Sequence, residues 1–368
     1  MREKTATAAR SRAARKREHV RAALLAADGP LDPGFNDVRL VHDCAPGLAF
    51  DHVDVRTRLV GISLPVPLLI NAMTGGAPEA EAINAILALA AREVGAPLAL
   101  GSQRAALEDP RLVRTYCVCR ERNPDGVLIA NVGADVSAPD ARRAVEMIGA
   151  VALQVHFNPA QELSMNEGDR DFRGRLPRLE EIAAAAGVPV IAKEVGLGVS
   201  GAAARRLVAA GARAIDVGGA GGTNFVAIEA ARGKSRAPAA GLGDWGIPTV
   251  ASLAEVVAAV GGGVDVVASG GVRSGHDIAR ALALGACAAG VAAPALRAAV
   301  AGGVRAVVAL LRRLLDELRA AMLLCGAGDV AALARRPVVV GGRTREWLEL
   351  RGVDVTALAR RPGGEEAG

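Results

Sequence analysis

Residues 151–168 read V-A-L-Q-V-H-F-N-P-A-Q-E-L-S-M-N-E-G. An apolar run, Val151 to Val155, ends abruptly in His156, Asn158, Gln161 and Glu162. A short continuous apolar run reads as a strand buried on both faces of a parallel sheet. Metal-binding and hydrogen-bonding side chains just past its end place chemistry where parallel α/β folds keep it.

The same punctuation recurs outward in both directions. Val66–Asn71, Pro97–Ser102, Val127–Asn131, Val151–His156, Val188–Lys193, Ala214–Val217, Val264–Ser269 and Ala288–Ala292 make eight such runs. Stretches long enough for crossover helices lie between them, among them Glu79–Glu93, Asp140–Gly149, Gly201–Ala210 and Ser274–Leu284. Eight alternations predict an α/β chain folded as a TIM (β/α)8 barrel, which takes about 250 residues. The rival is an open doubly wound sheet. A count that closes at eight, with polar residues after nearly every strand, favours the barrel. The chain then divides into a basic N-terminal arm and barrel-capping segment (1–64), the barrel (65–325) and a C-terminal helical segment with tail (326–368). Leu310, Leu311, Leu314, Leu315 and Leu318 recur at helical spacing and read as cover for the barrel or a subunit contact. Residues 354–368 read as a loose tail.

The 368 residues suffice for one large domain with a full core. Two Trp, one Tyr and five Phe are too few for a platform that stacks single-stranded nucleic acid. The net charge of +5 is concentrated. Residues 1–18 carry Arg2, Lys4, Arg10, Arg12, Arg15, Lys16 and Arg17 against Glu3 and Glu18. A solvated tail is the plain reading of residues 1–11, and an anion-binding arm is the sharper reading of the run. The apolar stretch Ala22–Ala27 is too short for a signal segment. The uncharged run from Ala281 to Leu296 is broken by glycines and Pro294, so no membrane span is expected and the location is read as cytoplasmic. Five cysteines without framework spacing imply a reducing compartment. Cys117-Val-Cys119 is too tight for a zinc pair, and all five read as core thiols.

Glycine-rich joints come after the sixth and seventh runs: Gly218-Gly219-Ala220-Gly221-Gly222-Thr223 and Ser269-Gly270-Gly271-Val272-Arg273-Ser274-Gly275. Glycines admit backbone N–H groups close to a phosphate, and a helix starting near His276 would add its positive end. The other strand ends supply Asn71 with Met73 and Thr74, then Ser102, Asn131, His156, Lys193 and Thr223. Lys193 could pair with Glu194, or it could face the electron-rich edge of a flavin. The residues together describe a barrel holding a phosphorylated cofactor, FMN, with a second anion and a metal beside it.

The sequence resembles the flavin-dependent type 2 isopentenyl diphosphate isomerases from about Arg15 to about Trp347. The resemblance rests on Arg15-Lys16-Arg17-Glu18-His19, Asn71-Ala72-Met73-Thr74-Gly75-Gly76, Gly101-Ser102-Gln103, Asn131-Val132-Gly133-Ala134-Asp135, Gln154 to Gly168, Lys193-Glu194-Val195-Gly196, Gly221-Gly222-Thr223-Asn224-Phe225, Trp245-Gly246-Ile247-Pro248-Thr249 and Ala268-Ser269-Gly270-Gly271. The Gln-x-His-x-Asn-x-x-Gln-Glu string sets this family apart from other FMN barrels. Gly218 stands where the family often has serine, and Phe157 replaces the middle residue of a more usual His-Val-Asn.

The resemblance implies interconversion of isopentenyl and dimethylallyl diphosphate with reduced FMN, Mg2+ and NADPH as flavin reductant, in a homo-oligomer (tetramer or octamer). It implies FMN contacts at Ala72, Met73, Thr74, Ser102, Asn131, Lys193 and Thr223. The cofactor's phosphate would lie on Gly271, Val272, Arg273, Ala292 and Ala293. Arg15 and Lys16 would grip the substrate diphosphate, His156, Asn158 and Gln161 would line the substrate end, and Glu162 would hold the metal. Gln161, His156 and Glu229 are the side-chain candidates for proton movement, although a carboxylate on the helix after the sixth strand, as Glu229 is, reads more readily as a surface residue or an ion-pair partner. An oxidase of the 2-hydroxy-acid type is the alternative, with Arg273 and His276 as its pair. A non-enzymatic sensor would be marked by loss of Glu162 or Lys193, and both are present. No cysteine in the loop after the sixth run offers an IMP-dehydrogenase-like nucleophile.

Overall fold

The computed structural model describes residues 18, 21–25, 28–231 and 241–363. Eight parallel strands close into a barrel in chain order: Leu68–Ile70, Leu98–Ala99, Leu128–Gly133, Ala152–Phe157, Val190–Glu194, Ala214–Asp216, Asp265–Ser269 and Ala288–Val291. The eighth pairs back onto the first, Ala289 opposite Leu68. All eight predicted runs are strands, each trimmed at one or both ends.

Successive side chains of a strand point to opposite faces. Leu68 and Ile70, Leu128 and Ala130, and Val190 and Ala192 join the large core under the helices, whereas Leu69, Ile129, Ala152, Ile191, Ala214 and Val267 form a separate interior cluster. A hairpin of Thr57–Leu59 and Ile62–Leu64 completes that cluster with Leu59 and Leu64, each 1% exposed. It plugs the amino-terminal end of the barrel. Two residues beyond each interior apolar residue stand Asn71, Asn131, Gln154, Lys193, Asp216 and Ser269. The layer above the dry plug is therefore polar, and the fold positions it by strand periodicity alone.

The helices cover the outside. Ala80–Val94 ends on Gly95 in the left-handed region, φ 75°. Gly275–Ala283 begins with a capping box, Ser274 to Asp277. Ala293–Leu324 is kinked at Gly302–Gly303 and is long and apolar enough, by length and composition, to cross a membrane. Its leucine stripe packs on the barrel instead, with Leu311, Leu314, Leu315 and Leu318 buried. Strand Val38–Leu40 pairs antiparallel with Val338–Val340, which joins the two flanking segments.

Two expectations are corrected. Cys44 is exposed, because residues 41–49 form an irregular outer segment, so the core reading fails for it. Residues 354–363 are built into the fold. Asp354 caps the helix Val355–Ala359, Val355 is buried, and Arg361 donates to the Ala283 carbonyl at 2.6 Å.

Candidate active site

The polar layer is one hydrogen-bonded network. Asp216 ends the sixth strand with no exposed surface. Its Oδ2 accepts from Asn71 Nδ2 at 2.7 Å and from Gln154 Nε2 at 3.3 Å, and pairs with Lys193 Nζ at 2.9 Å. Its Oδ1 accepts from the Ser269 hydroxyl and, at 3.3 Å, from the Gly218 N–H. Gln154 Nε2 also donates to Asn71 Oδ1 at 3.0 Å, and Gln154 Oε1 accepts from Asn131 Nδ2 at 2.9 Å. Asn131 Oδ1 lies 2.9 Å from His156 Nδ1. The network thus reaches from Ser269 to His156 across the barrel floor.

Lys193 pairs with Asp216 rather than with its neighbour Glu194. Adjacent strand residues point to opposite faces, and Lys193 stands opposite Asp216 in the strand register. Glu194 faces outward and is buried. Its Oε2 accepts N–H bonds from Gly196, Leu197 and Gly198 at 2.8, 2.5 and 3.1 Å and so fixes the turn after the fifth strand. Burial pushes its carboxyl up to about 7, against the pull of those three amides and of the Lys193 charge.

A cleft opens above this floor and encloses about 1500 Å3 counted out to open solvent. Ala72, Met73, Thr74, Ser102, Asn131, Lys193, Thr223, Gly271, Arg273, Ala292 and Ala293 all line it. Val272 is buried behind its turn and does not. The Thr74 hydroxyl donates to Asn84 Oδ1 at 2.5 Å, and the Ser102 carbonyl accepts from Tyr116 at 2.6 Å.

The glycine loops bring backbone close together at one end of the cleft, as a phosphate site needs. Gly270 and Gly271 have φ of 104° and 74°. A Cβ on Gly222 would lie 2.4 Å from the Gly271 nitrogen, so only glycine lets the two loops meet. The expected anion site at the helix after the seventh strand is already occupied by the protein itself. Asp277 Oδ2 accepts from the N–H groups of Arg273 and Ser274, both at 3.0 Å. The start of the long helix at Ala293, with its orphan N–H groups, is the available positive end. The Arg273 guanidinium binds Asp28 from the N-terminal segment, Nε to Oδ2 at 2.7 Å.

His156, Asn158, Gln161 and Glu162 line the same cleft, on and beyond the fourth strand. Gln161 and Glu162 ride on the short helix Pro159–Ser164. Asn158 Nδ2 donates to Gln161 Oε1 and to Glu162 Oε1, each at 3.1 Å. Glu162 Oε2 accepts from the Asp169 N–H at 2.9 Å. Gln161 Nε2 donates to Glu229 Oε1 at 3.2 Å. Glu229 is 1% exposed, so its reading as a surface carboxylate fails. Among the described residues no three acidic, histidine or cysteine side chains cluster to cage a metal. A lone carboxylate beside amides fits an ion that takes its other ligands from water and substrate phosphate, as Mg2+ does.

Arg15 and Lys16 lie outside the described residues. Asp216, the hub of the floor, escapes sequence reasoning, as do Arg104 and Asp135, which form an ion pair at the cleft wall.

A family model described as FMN-dependent dehydrogenase matches residues 131–340. Isopentenyl-diphosphate delta-isomerase of Symbiobacterium thermophilum is 51% identical over 355 residues, covering 94% of this chain and 98% of its own. The Moorella thermoacetica protein of the same name is 47% identical over 341 residues, covering 92% and 97%. Among solved structures, a mandelate oxidase variant with the monooxide FMN adduct superposes with a TM-score of 0.62 at 24% identity, covering 87% of this chain and 92% of that one. At that identity the likeness shows the barrel fold alone.

Proposed function

The chain belongs to the flavin-dependent, type 2 isopentenyl-diphosphate delta-isomerases and is an enzyme of that kind, and on that premise we propose how its residues divide the work of interconverting isopentenyl and dimethylallyl diphosphate. The observation that carries the assignment is that Glu162 and Lys193, well separated in the chain, line one cleft. The reaction shifts a double bond by one position. A proton is added at one carbon and another is lost two carbons away, with no net transfer of electrons. Protonating an unactivated alkene builds cationic character on carbon, so the site needs an acid, a negative surface and little water.

Reduced FMN, when bound, supplies an electron-rich face and a ring nitrogen able to exchange a proton. Lys193 would supply a positive charge to the bound ring, and Asn71, Asn131 and Ser102, which line the cleft with it, would supply polar groups. Gly271, Ala292 and Ala293 hold its phosphate. Glu162 would hold Mg2+, which would supply positive charge to neutralise the diphosphate. Arg15 as a fork and Lys16 as a point charge neutralise the rest. Met73, Met165, Val195 and Phe225 wall the cleft and keep water from the five-carbon tail. Gln161, tied to Glu229 Oε1, and His156, tied to Asn131, hold exchangeable protons at the substrate end.

NADPH as reductant, a cytoplasmic setting and a tetrameric or octameric assembly belong to the same reading. Five free cysteines support a reducing compartment. The oxidase alternative is disfavoured. His276 is exposed and lies off the cleft, and Arg273 is tied to Asp28. The deciding experiment incubates the protein with FMN, NADPH, Mg2+ and isopentenyl diphosphate in D2O. NMR should find deuterium in dimethylallyl diphosphate. Product free of deuterium, or none at all with the flavin reduced, would overturn the proposal.

A further inference from the structure

The floor of the cleft carries a carboxylate to which no role in the reaction is yet attached. We propose that Asp216 is a positioning residue that acts through Lys193. It holds the ammonium at one place in the cleft that would receive the flavin, so that Lys193 sets the balance between oxidised and reduced cofactor. This rests on the reading that FMN occupies the cleft.

Three observations carry it. First, Asp216 is fully buried, and Lys193 is the cation in contact with it among the described residues, at 2.9 Å. A buried carboxylate and a buried ammonium each need the other, since either alone would be an uncompensated charge in a dry interior. Second, the pair is locked from several strands. Asn71, Gln154, Ser269 and the Gly218 N–H all donate to the same carboxylate. Asp216 thus has little freedom, and it passes that constraint to Lys193. Third, an ammonium has three donors. Asp216 and the Ser269 hydroxyl, at 3.3 Å, take two of the Lys193 donors. Lys193 lines the cleft, so the remaining donor is the one a bound ligand can use. A carboxylate needed only for folding would have no reason to share its cation with the cofactor cleft.

The test is a double-mutant cycle on FMN-loaded protein, with flavin midpoint potential as readout. Asp216→Asn keeps the shape and removes the charge; Lys193→Met removes the ammonium. Each single variant should change the ratio of affinities for reduced and oxidised flavin about tenfold, which is about 30 mV for a two-electron couple. The double variant should match Lys193→Met alone. Additive shifts, or an unchanged potential in Asp216→Asn, would overturn the proposal. If Asp216→Asn does not fold, Asp216→Glu replaces it, keeping the charge and moving it by one methylene. A shift that is present with Lys193 and absent without it supports the proposal; no shift with Lys193, or a shift that persists without it, overturns it. Wild-type protein that takes up no FMN would refute the cofactor reading itself, before the cycle is run.

Discussion

At the scale of single residues, two carboxylates face opposite fates. Glu162 lies at the cleft, where one negative oxygen pair can meet a divalent ion. Glu162→Gln keeps the size and the Asn158 contact but loses the charge. Turnover with Mg2+ should fall by about a hundredfold or more, the several kcal/mol a bound ion supplies, while the protein stays yellow. Unchanged steady-state activity would remove Glu162 from the metal site. Glu194 is walled in, and its carboxyl sits at about 7 rather than the ordinary 4.5. The folded state therefore holds a proton that the unfolded chain releases at lower pH. The group's contribution to stability is full below about pH 4.5 and is lost as pH rises through about 7. Thermal melts from pH 5 to 8 should show wild type losing stability relative to Glu194→Gln. Two parallel pH profiles would contradict this. The carboxylates held below their ordinary range, such as Asp54 beside Arg56, work in the opposite sense and at more acid pH.

Residue-scale legibility is uneven for a physical reason. Lys193 stands out because it closes an apolar run, and Glu162 because it belongs to the polar cluster that follows one. Asp216 sits inside a run, Ala214-Ile215-Asp216-Val217, that reads as strand throughout. Its meaning comes from lying opposite Lys193 in the register, and register between strands is not written in either strand alone. Glu229 is ambiguous in sequence for the same cause, since its contact with Gln161 spans 68 residues.

At the scale of elements, period and punctuation carry most of the information. Short apolar runs mark the eight strands, and backbone bonding runs past a trimmed end at Asn71, whose N–H donates to the Val291 carbonyl at 2.8 Å while its side chain joins the polar floor. The capping box is what the element pattern hides. Ser274 and Asp277 consume the N–H groups of Arg273, Ser274 and Asp277, which the helix start would otherwise offer a phosphate. The opposed glycine loops provide a direct test. In Gly222→Ala the new methyl would meet the Gly271 nitrogen at 2.4 Å and wedge the two loops apart. FMN affinity should fall by at least tenfold, measured by fluorescence titration. The plug and outer core are untouched, so the apoprotein melt should move by only a few degrees, the shift expected of about 1 kcal/mol. An unaltered flavin Kd would show that the loops do not jointly hold the cofactor.

At the scale of the whole molecule, the segment that holds Ala23, Asp28 and Gly29 is fastened to the rim of the barrel. Asp28 pairs with Arg273 and lies 3.7 Å from Arg297. The Gly29 N–H donates to the Gly222 carbonyl at 3.1 Å, and Asn224 Nδ2 donates to the Gly29 carbonyl at 3.1 Å. Ala23 is buried with Ile228 and Leu296. Every one of these partners lies beyond the sixth, seventh or eighth strand, on the side of the cleft that would hold the flavin phosphate. The anchor uses Asp28, Gly29 and Ala23 and involves no basic residue of the described segment before Asp28. Arg15→Ala combined with Lys16→Ala should raise the KM for isopentenyl diphosphate at least tenfold, because each lost charge-assisted phosphate bond is worth about 1.5–3 kcal/mol. Flavin content should stay at the wild-type level. Asp28→Asn loosens the anchor instead, and should raise the same KM by a smaller factor with the basic residues intact. Loss of flavin from the double variant would give the arm a different task, in which charge at the chain's start supports the cofactor rather than the substrate.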